Sequence, residues 1–158
     1  MFVLARAVTY ATLFIGLVLI FVPSRVLSWS GVTPPTRIGI PQGAGMMVGA
    51  SGAAVAVSCI LTFALVGKGT PLPLDPPRRL VVRGPYRVVR NPMYLGAGLA
   101  LGGAALFYQS LALAGYTGLF LLTMHVFVVT YEEPTLRRTF GNDYEAYCGD
   151  VDRWWPKL

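Results

Sequence analysis

The polar positions of this 158-residue chain gather in clusters, and between them lie three stretches that are almost wholly apolar. A bilayer core needs about 20 mostly apolar residues per helix, so each stretch reads against that length. The first runs from about Ala7 to Trp29, with Pro23 and Arg25 near its far end. The second runs from about Gly43 to Val66 without a charge. The third, Met93 to Tyr131, is 39 residues long and uncharged apart from His125, about twice one span. It has to fold back on itself. Its polar interruption, Tyr108-Gln109-Ser110, predicts a tight helical hairpin of two spans, Met93–Tyr108 and Leu111–Tyr131. The pattern therefore predicts an all-α integral membrane bundle of four transmembrane helices forming one domain over residues 1–158.

Composition supports the same class. Hydrophobic residues make up 54% and charged residues 13%, where soluble domains carry roughly 45–50% and about 25%, and mean hydropathy is +0.59. The aromatic content of 12% is foreign to disordered chains. A net charge of +6 in a soluble protein would point to nucleic acid; here it points to orientation in a bilayer. Arg6, Lys68, Arg78, Arg79, Arg83, Arg87, Arg90, Arg137, Arg138, Arg153 and Lys157 fall on one side of the four spans, and only Arg25 and Arg37 on the other. Cytoplasmic loops carry the Lys/Arg excess, so both termini are expected inside, with the lipid bilayer as partner and no nucleic acid. Cys59 and Cys148 sit in no Cys/His cluster, so no metal site is expected. The first apolar stretch is too long for a cleaved signal peptide and lacks a small-residue cleavage site.

Small residues recur along the second span (Gly45, Gly49, Gly52, Ala53, Ala56) and the third (Gly96, Gly98, Gly102, Gly103, Ala104). Such spacing lets helix backbones approach closely, within or between chains. It is not the compact turn of a phosphate-binding loop.

Chemistry is sought where polar residues gather beside the membrane despite their cost there. Two segments qualify: Leu80–Tyr94 (LVVRGPYRVVRNPMY), just before the third span, and Tyr131–Pro156 (YEEPTLRRTFGNDYEAYCGDVDRWWP), just after the fourth. A hairpin brings them out side by side. Arg83, Arg87 and Arg90 supply donors for a carboxylate or phosphate, and Glu132 and Glu133 accept from hydroxyls or face a cation. Tyr86 and Tyr94 offer flat faces to a ring or a sulfonium, while Gly84-Pro85 and Asn91-Pro92 bend the chain. The set suits a zwitterion. A plainer reading makes it a positive-inside loop neutralised by lipid phosphate, with the Glu pair capping a helix.

RGPYRVVRNPMYLG (Arg83–Gly96), a membrane hairpin, EEPTLRRTFGNDYEAY (Glu132–Tyr147) and VDRWWP (Val151–Pro156) together resemble the signature of the isoprenylcysteine carboxyl methyltransferase family and its wider kin, the phospholipid methyltransferases. The resemblance covers about half the chain, Leu80 to Pro156. It implies an integral membrane methyltransferase with an S-adenosylmethionine site between the cytoplasmic end of the last hairpin and the C-terminal segment. By that implication Leu80, Val81 and Tyr86 line the cofactor, Asn91, Pro92, Met93 and Tyr94 form the turn against it, and Glu132 holds its polar atoms, with Arg90 and Glu133 beside them. Two positions depart from the family pattern. Asn91 stands where His is usual, and Val128 where the prenylcysteine enzymes place an Arg for the substrate carboxylate.

The acceptor implied is a lipophilic small molecule: a prenylcysteine-like carboxylate, a phospholipid amine or a thiol. A carboxylate needs no base, whereas an amine or thiol must lose a proton, which makes Glu132, Glu133 or His125 relevant. In an α-helix His125, seven residues before Glu132, lies on the same face; its alternative role is packing. In the tail, Pro134 suits a helix start, and Leu136, Phe140, Tyr144 and Tyr147 form a stripe for docking over the cofactor or lying on the membrane interface. Trp154 and Trp155 read as interfacial anchors. The alternative from another class is a non-catalytic scaffold or lipid-binding protein that keeps the fold.

Overall fold

The computed structural model describes residues 12–13, 15–62 and 80–157. The start of the first predicted span (7–11 and 14), the end of the second (63–66) and the cations Arg6, Lys68, Arg78 and Arg79 lie outside the described residues. Within them the structure is helical, with no strand. Helix α1 covers Ile15–Trp29, α2 Ile40–Thr62, α3 Pro92–Tyr108 and α4 Leu111–Phe127. A π-helical turn, Val128–Glu132, carries α4 without a break into α5, Glu133–Phe140, and α6 follows at Asn142–Asp150. Two helices, Ile40–Thr62 and the continuous Leu111–Phe140, are long and apolar enough to cross a membrane; Ile15–Trp29 and Pro92–Tyr108 are shorter apolar helices.

Helix α3 lies at the centre. It packs along its length on α2, on α4 through the hairpin, and on α1. The α2–α3 contact is built from missing side chains: a Cβ on Gly52 would sit 2.5 Å from the Ala100 nitrogen and the Gly96 oxygen, and one on Gly45 2.6 Å from the Gly103 oxygen. The two backbones thus touch directly, as small-residue spacing predicts. Gln42 secures the same pair, its side-chain amide donating to the Phe107 carbonyl at 3.3 Å. This bond sets the N-terminus of α2 beside the C-terminus of α3.

The hairpin reverses where the polar interruption predicts. Gln109 adopts the left-handed conformation (φ 49°) and ends α3, while the Ser110 hydroxyl accepts from the Leu113 amide at 3.2 Å and starts α4. Both ends are capped within three residues, satisfying the orphan groups that helix termini leave.

Helix α1 departs from the regular helix expected. Its first part, Ile15–Phe21, is π-helical, and Pro23 follows at the start of the α-helical part. In an i→i+5 pattern the Val18 carbonyl would pair with the amide of position 23, and proline has none. Tyr116 of α4 supplies the missing donor, its hydroxyl bonding the Val18 oxygen at 2.9 Å. Around this bond Val18, Leu19, Tyr116, Leu121 and Met124 pack against buried Ala97, Leu101 and Phe120. Pro23 therefore docks α1 to the hairpin by leaving a polar group that only a neighbour can satisfy.

The tail, expected as one C-terminal cytoplasmic amphipathic helix that docks over the cofactor or lies on the membrane interface, is not one continuous helix. It is two short helices separated by Gly141. The stripe Leu136, Phe140, Tyr144 and Tyr147 turns inward, packing with Cys148, Val151, Leu80 and Val82. The C-terminal helices thereby cover the segment that leads into α3.

Candidate active site

The segment before α3 begins extended, so successive side chains point to opposite sides. Leu80 and Val82 join the tail cluster, while Val81 packs with Cys59 and Tyr86, against Val55 and Met93. The chain turns at Gly84, whose φ is +58° and whose absent Cβ would meet the Thr62 hydroxyl at 3.0 Å. Both conditions disfavour a larger residue. A 3-10 turn, Gly84–Arg87, follows, and the Tyr86 carbonyl accepts from the Tyr147 hydroxyl at 2.6 Å. Burial pushes the Tyr147 and Tyr86 phenols well above their usual range, so both stay neutral.

The two segments meet at the open end of the hairpin. From the first turn of α3 the Tyr94 hydroxyl donates to Glu132 Oε2 at 2.9 Å. Tyr94 is buried and Glu132 half-buried. Glu133, the next residue, points elsewhere and is 2% exposed. Arg153 holds it in a bidentate pair, Nε to Oε1 at 2.8 Å and Nη2 to Oε2 at 2.9 Å. Arg90 Nη1 approaches Oε1 at 3.3 Å and Arg137 Nη1 approaches Oε2 at 3.8 Å. Arg90 Nη1 also donates to Cys148 Sγ at 2.5 Å.

The two neighbouring carboxyls are shifted in opposite directions. Burial raises Glu132 above the usual range; the Tyr94 hydrogen bond opposes this in part, and the Glu133 charge adds to it. Burial also disfavours the charge on Glu133, but the Arg153 hydrogen bonds and the Arg90, Arg153 and Arg137 charges outweigh it and hold the carboxyl low. Glu133 is a fixed anion within an arginine cluster. Glu132 is the carboxyl better suited to exchange a proton or meet an incoming donor.

The predicted site residues therefore separate. Tyr94 and Glu132 come together. Pro92 and Met93 open α3 directly before Tyr94, as N-terminal helix positions. Arg90 and Asn91 instead fasten the tail: the Arg90 amide donates to the Asp152 carbonyl at 2.9 Å, and Asn91 Nδ2 donates to the Arg153 carbonyl at 3.3 Å. Tyr86 and Val81 face the Cys59 cluster and Leu80 the tail cluster, so the ring of Tyr86 does not stand open to a ligand.

His125 and Glu132 do not share partners. His125 Nδ1 accepts from Trp154 Nε1 at 3.0 Å. The π turn between them explains the difference, because i→i+5 closure takes one more residue per ring than an α-helix. The residue below His125 is then the eighth along, Glu133, rather than the seventh, and consecutive tail residues Trp154 and Arg153 bind these two. Val128, 1% exposed, lies in the core. Arg153 and Trp154 are the residues that sequence reasoning underestimated; their signal was the only run of charge and indole in the tail, read as orientation and anchoring. Trp155 is 78% exposed.

A model of the phospholipid methyltransferase family matches residues 42–143 of the chain, from the first turns of α2 to the start of α6. No curated protein and no solved structure matches it.

Proposed function

The chain belongs to the phospholipid methyltransferase family, a family of membrane methyltransferases, and from this premise we propose that it transfers a methyl group from S-adenosylmethionine to a lipophilic small-molecule acceptor at the cytoplasmic membrane face. The observation that carries the reading is the Tyr94–Glu132 hydrogen bond, which joins the segments on either side of the hairpin within the matched residues. Tyr94 engages one oxygen of Glu132 and leaves the other to accept from hydroxyl or ammonium donors, both of which the nucleoside and amino-acid parts of the cofactor carry. That is the fit. When bound, the cofactor supplies a methyl group on a positively charged sulfur.

The chain's own residues do the rest. Tyr94 orients the Glu132 carboxylate and, being buried, helps keep water from it. With its pKa raised by burial, Glu132 is suited to take the proton from an amine or thiol acceptor. A phospholipid amine or thiol uses that base; a carboxylate acceptor does not. Val128, in the core, provides no cation for an acceptor carboxylate, which favours the amine or thiol. Positioning of the acceptor is the larger contribution in such displacements.

The same reading makes all four apolar helices membrane spans with the site cytoplasmic. Arg83, Arg87, Arg90, Arg137, Arg138, Arg153 and Lys157 belong to the segments at the Glu132 end, and Arg25 and Arg37 to those at the hairpin-turn end, which agrees with the positive-inside rule. The test is calorimetry of the full chain in lipid nanodiscs with S-adenosylmethionine, followed by incubation of a lipid extract with methyl-labelled cofactor. Binding, together with label in a lipid product that is lost in Glu132→Gln, is expected. Folded protein that binds no cofactor and labels nothing overturns the enzyme reading and leaves a scaffold.

A further inference from the structure

Residues Val151–Pro156 lie beyond the family match, which ends at residue 143, yet they touch both halves of the candidate site. Five hydrogen bonds fasten them. Two reach the N-terminal approach to α3: Arg90 N–H to the Asp152 carbonyl at 2.9 Å and Asn91 Nδ2 to the Arg153 carbonyl at 3.3 Å. Three reach the other helix of the hairpin: Arg153 to Glu133 at 2.8 and 2.9 Å, and Trp154 Nε1 to His125 Nδ1 at 3.0 Å. Asn91 is three residues from Tyr94, and Glu133 is adjacent to Glu132. The segment is thus a second bridge across the same gap that the Tyr94–Glu132 bond closes.

We propose that Val151–Pro156 is a strap that sets the geometry of the Tyr94–Glu132 pair, with Arg153 and Trp154 as positioning residues acting through Glu133 and His125. The strap rests on the reading that Tyr94 and Glu132 hold the cofactor. Its two anchors on the helix flank the π turn, His125 before it and Glu133 after it, so they fix both ends of the segment from which Glu132 projects. A planar guanidinium held by two parallel bonds fixes orientation as well as distance. The indole–imidazole bond adds a second point, so the helix cannot turn about the first. Sites of this kind are sensitive to small displacements, a 1 Å misplacement costing about a hundredfold in rate.

The experiment measures S-adenosylhomocysteine affinity by calorimetry on the full chain in nanodiscs, with thermal unfolding recorded for every variant. Arg153→Gln and Trp154→Phe are made in the wild-type and Glu132→Gln backgrounds, and Arg153→Lys in the wild type. The Phe variant keeps an aromatic ring, though a smaller one, and removes the indole N–H, so it carries the test should Arg153→Gln not fold. The expected result is a loss of about tenfold or less for each strap variant in the wild type, partial recovery with Arg153→Lys, and no further loss when Glu132 is already glutamine. A residue acting through Glu132 is coupled to it, whereas an independent structural effect multiplies. Unchanged affinity in the strap variants, or losses that multiply with Glu132→Gln, overturns the strap while leaving the site standing. Unchanged affinity in Glu132→Gln alone removes the site reading and the strap with it.

Discussion

Replacing Glu133 with glutamine removes the one negative charge on which three guanidinium groups converge. The cost follows from their exposure. The Arg90 side chain is 11% exposed and has little water to replace its partner, while Arg153 at 30% and Arg137 at 45% remain solvated. Breaking a buried ion pair from one side costs about 3–5 kcal/mol, and the two solvated arginines place Glu133→Gln at the lower end, about 3 kcal/mol. For a chain of this size each kcal/mol moves Tm by about 2–4 °C, so the expected drop is roughly 6–12 °C. The assay is thermal unfolding at pH 7 in one detergent, with Glu132→Gln measured alongside. That second variant removes a charge whose burial is unfavourable, and its Tm should stay within about 2 °C of wild type. The difference between the two proteins should also depend on pH. Because the arginines hold the folded Glu133 carboxyl low against the opposing effect of burial, its contribution is complete above the unfolded value of about 4.3 and disappears as pH falls through the folded value. Equal losses for the two glutamates, or a Glu133→Gln protein as stable as wild type at pH 7, would refute the division of roles between them.

Other substitutions test the scaffold. Gly52→Ala drives a methyl group into the backbone of α3 and should cost about 1–3 kcal/mol by overpacking, whereas Gly102→Ala, with nothing within 4 Å, should gain up to about 1 kcal/mol from helix propensity; paired melting curves distinguish them. Tyr116→Phe deletes the donor to the Val18 carbonyl and should destabilise by about 1–2 kcal/mol, seen as a lower Tm with an unchanged elution volume. Val128→Arg places a guanidinium at a position 1% exposed and should abolish the monodisperse folded peak in size-exclusion chromatography; a well-folded Val128→Arg protein would show that the position opens to a cavity or to solvent.

The hairpin was legible because its cause is local. A single polar interruption in an apolar run of twice the spanning length leaves one place to turn, and Gln109 and Ser110 carry the caps that make the turn. The α2–α3 contact was equally legible, since glycines every three or four residues describe a surface without side chains, whatever the partner. The partition of Glu132 and Glu133 was not. Facing on a helix is inferred from a fixed 3.6-residue period, and the π turn suspends that period at the residues of the candidate site. Nor did the tail stripe state its partner: Leu136, Phe140, Tyr144 and Tyr147 are apolar at helical spacing both for a membrane surface and for the Leu80–Val82 segment, and only the three-dimensional approach of that segment decides. Arg153 showed the same ambiguity, because a cation that orients a membrane protein and a cation that pairs with a buried carboxylate are the same letter in the sequence.

The π turn at Val128–Glu132 also bears on how this helix tolerates changes of length. In an ordinary α-helix, deleting one residue rotates everything downstream by about a quarter turn or more. Here the deletion has a different outcome, because the turn already holds a surplus residue. Removing Thr130 would let the segment close as a regular α-helix, with Glu132 still directed to Tyr94 and Glu133 to the arginines. In the helix that carries the candidate site, chain length and side-chain facing are thus uncoupled at this turn.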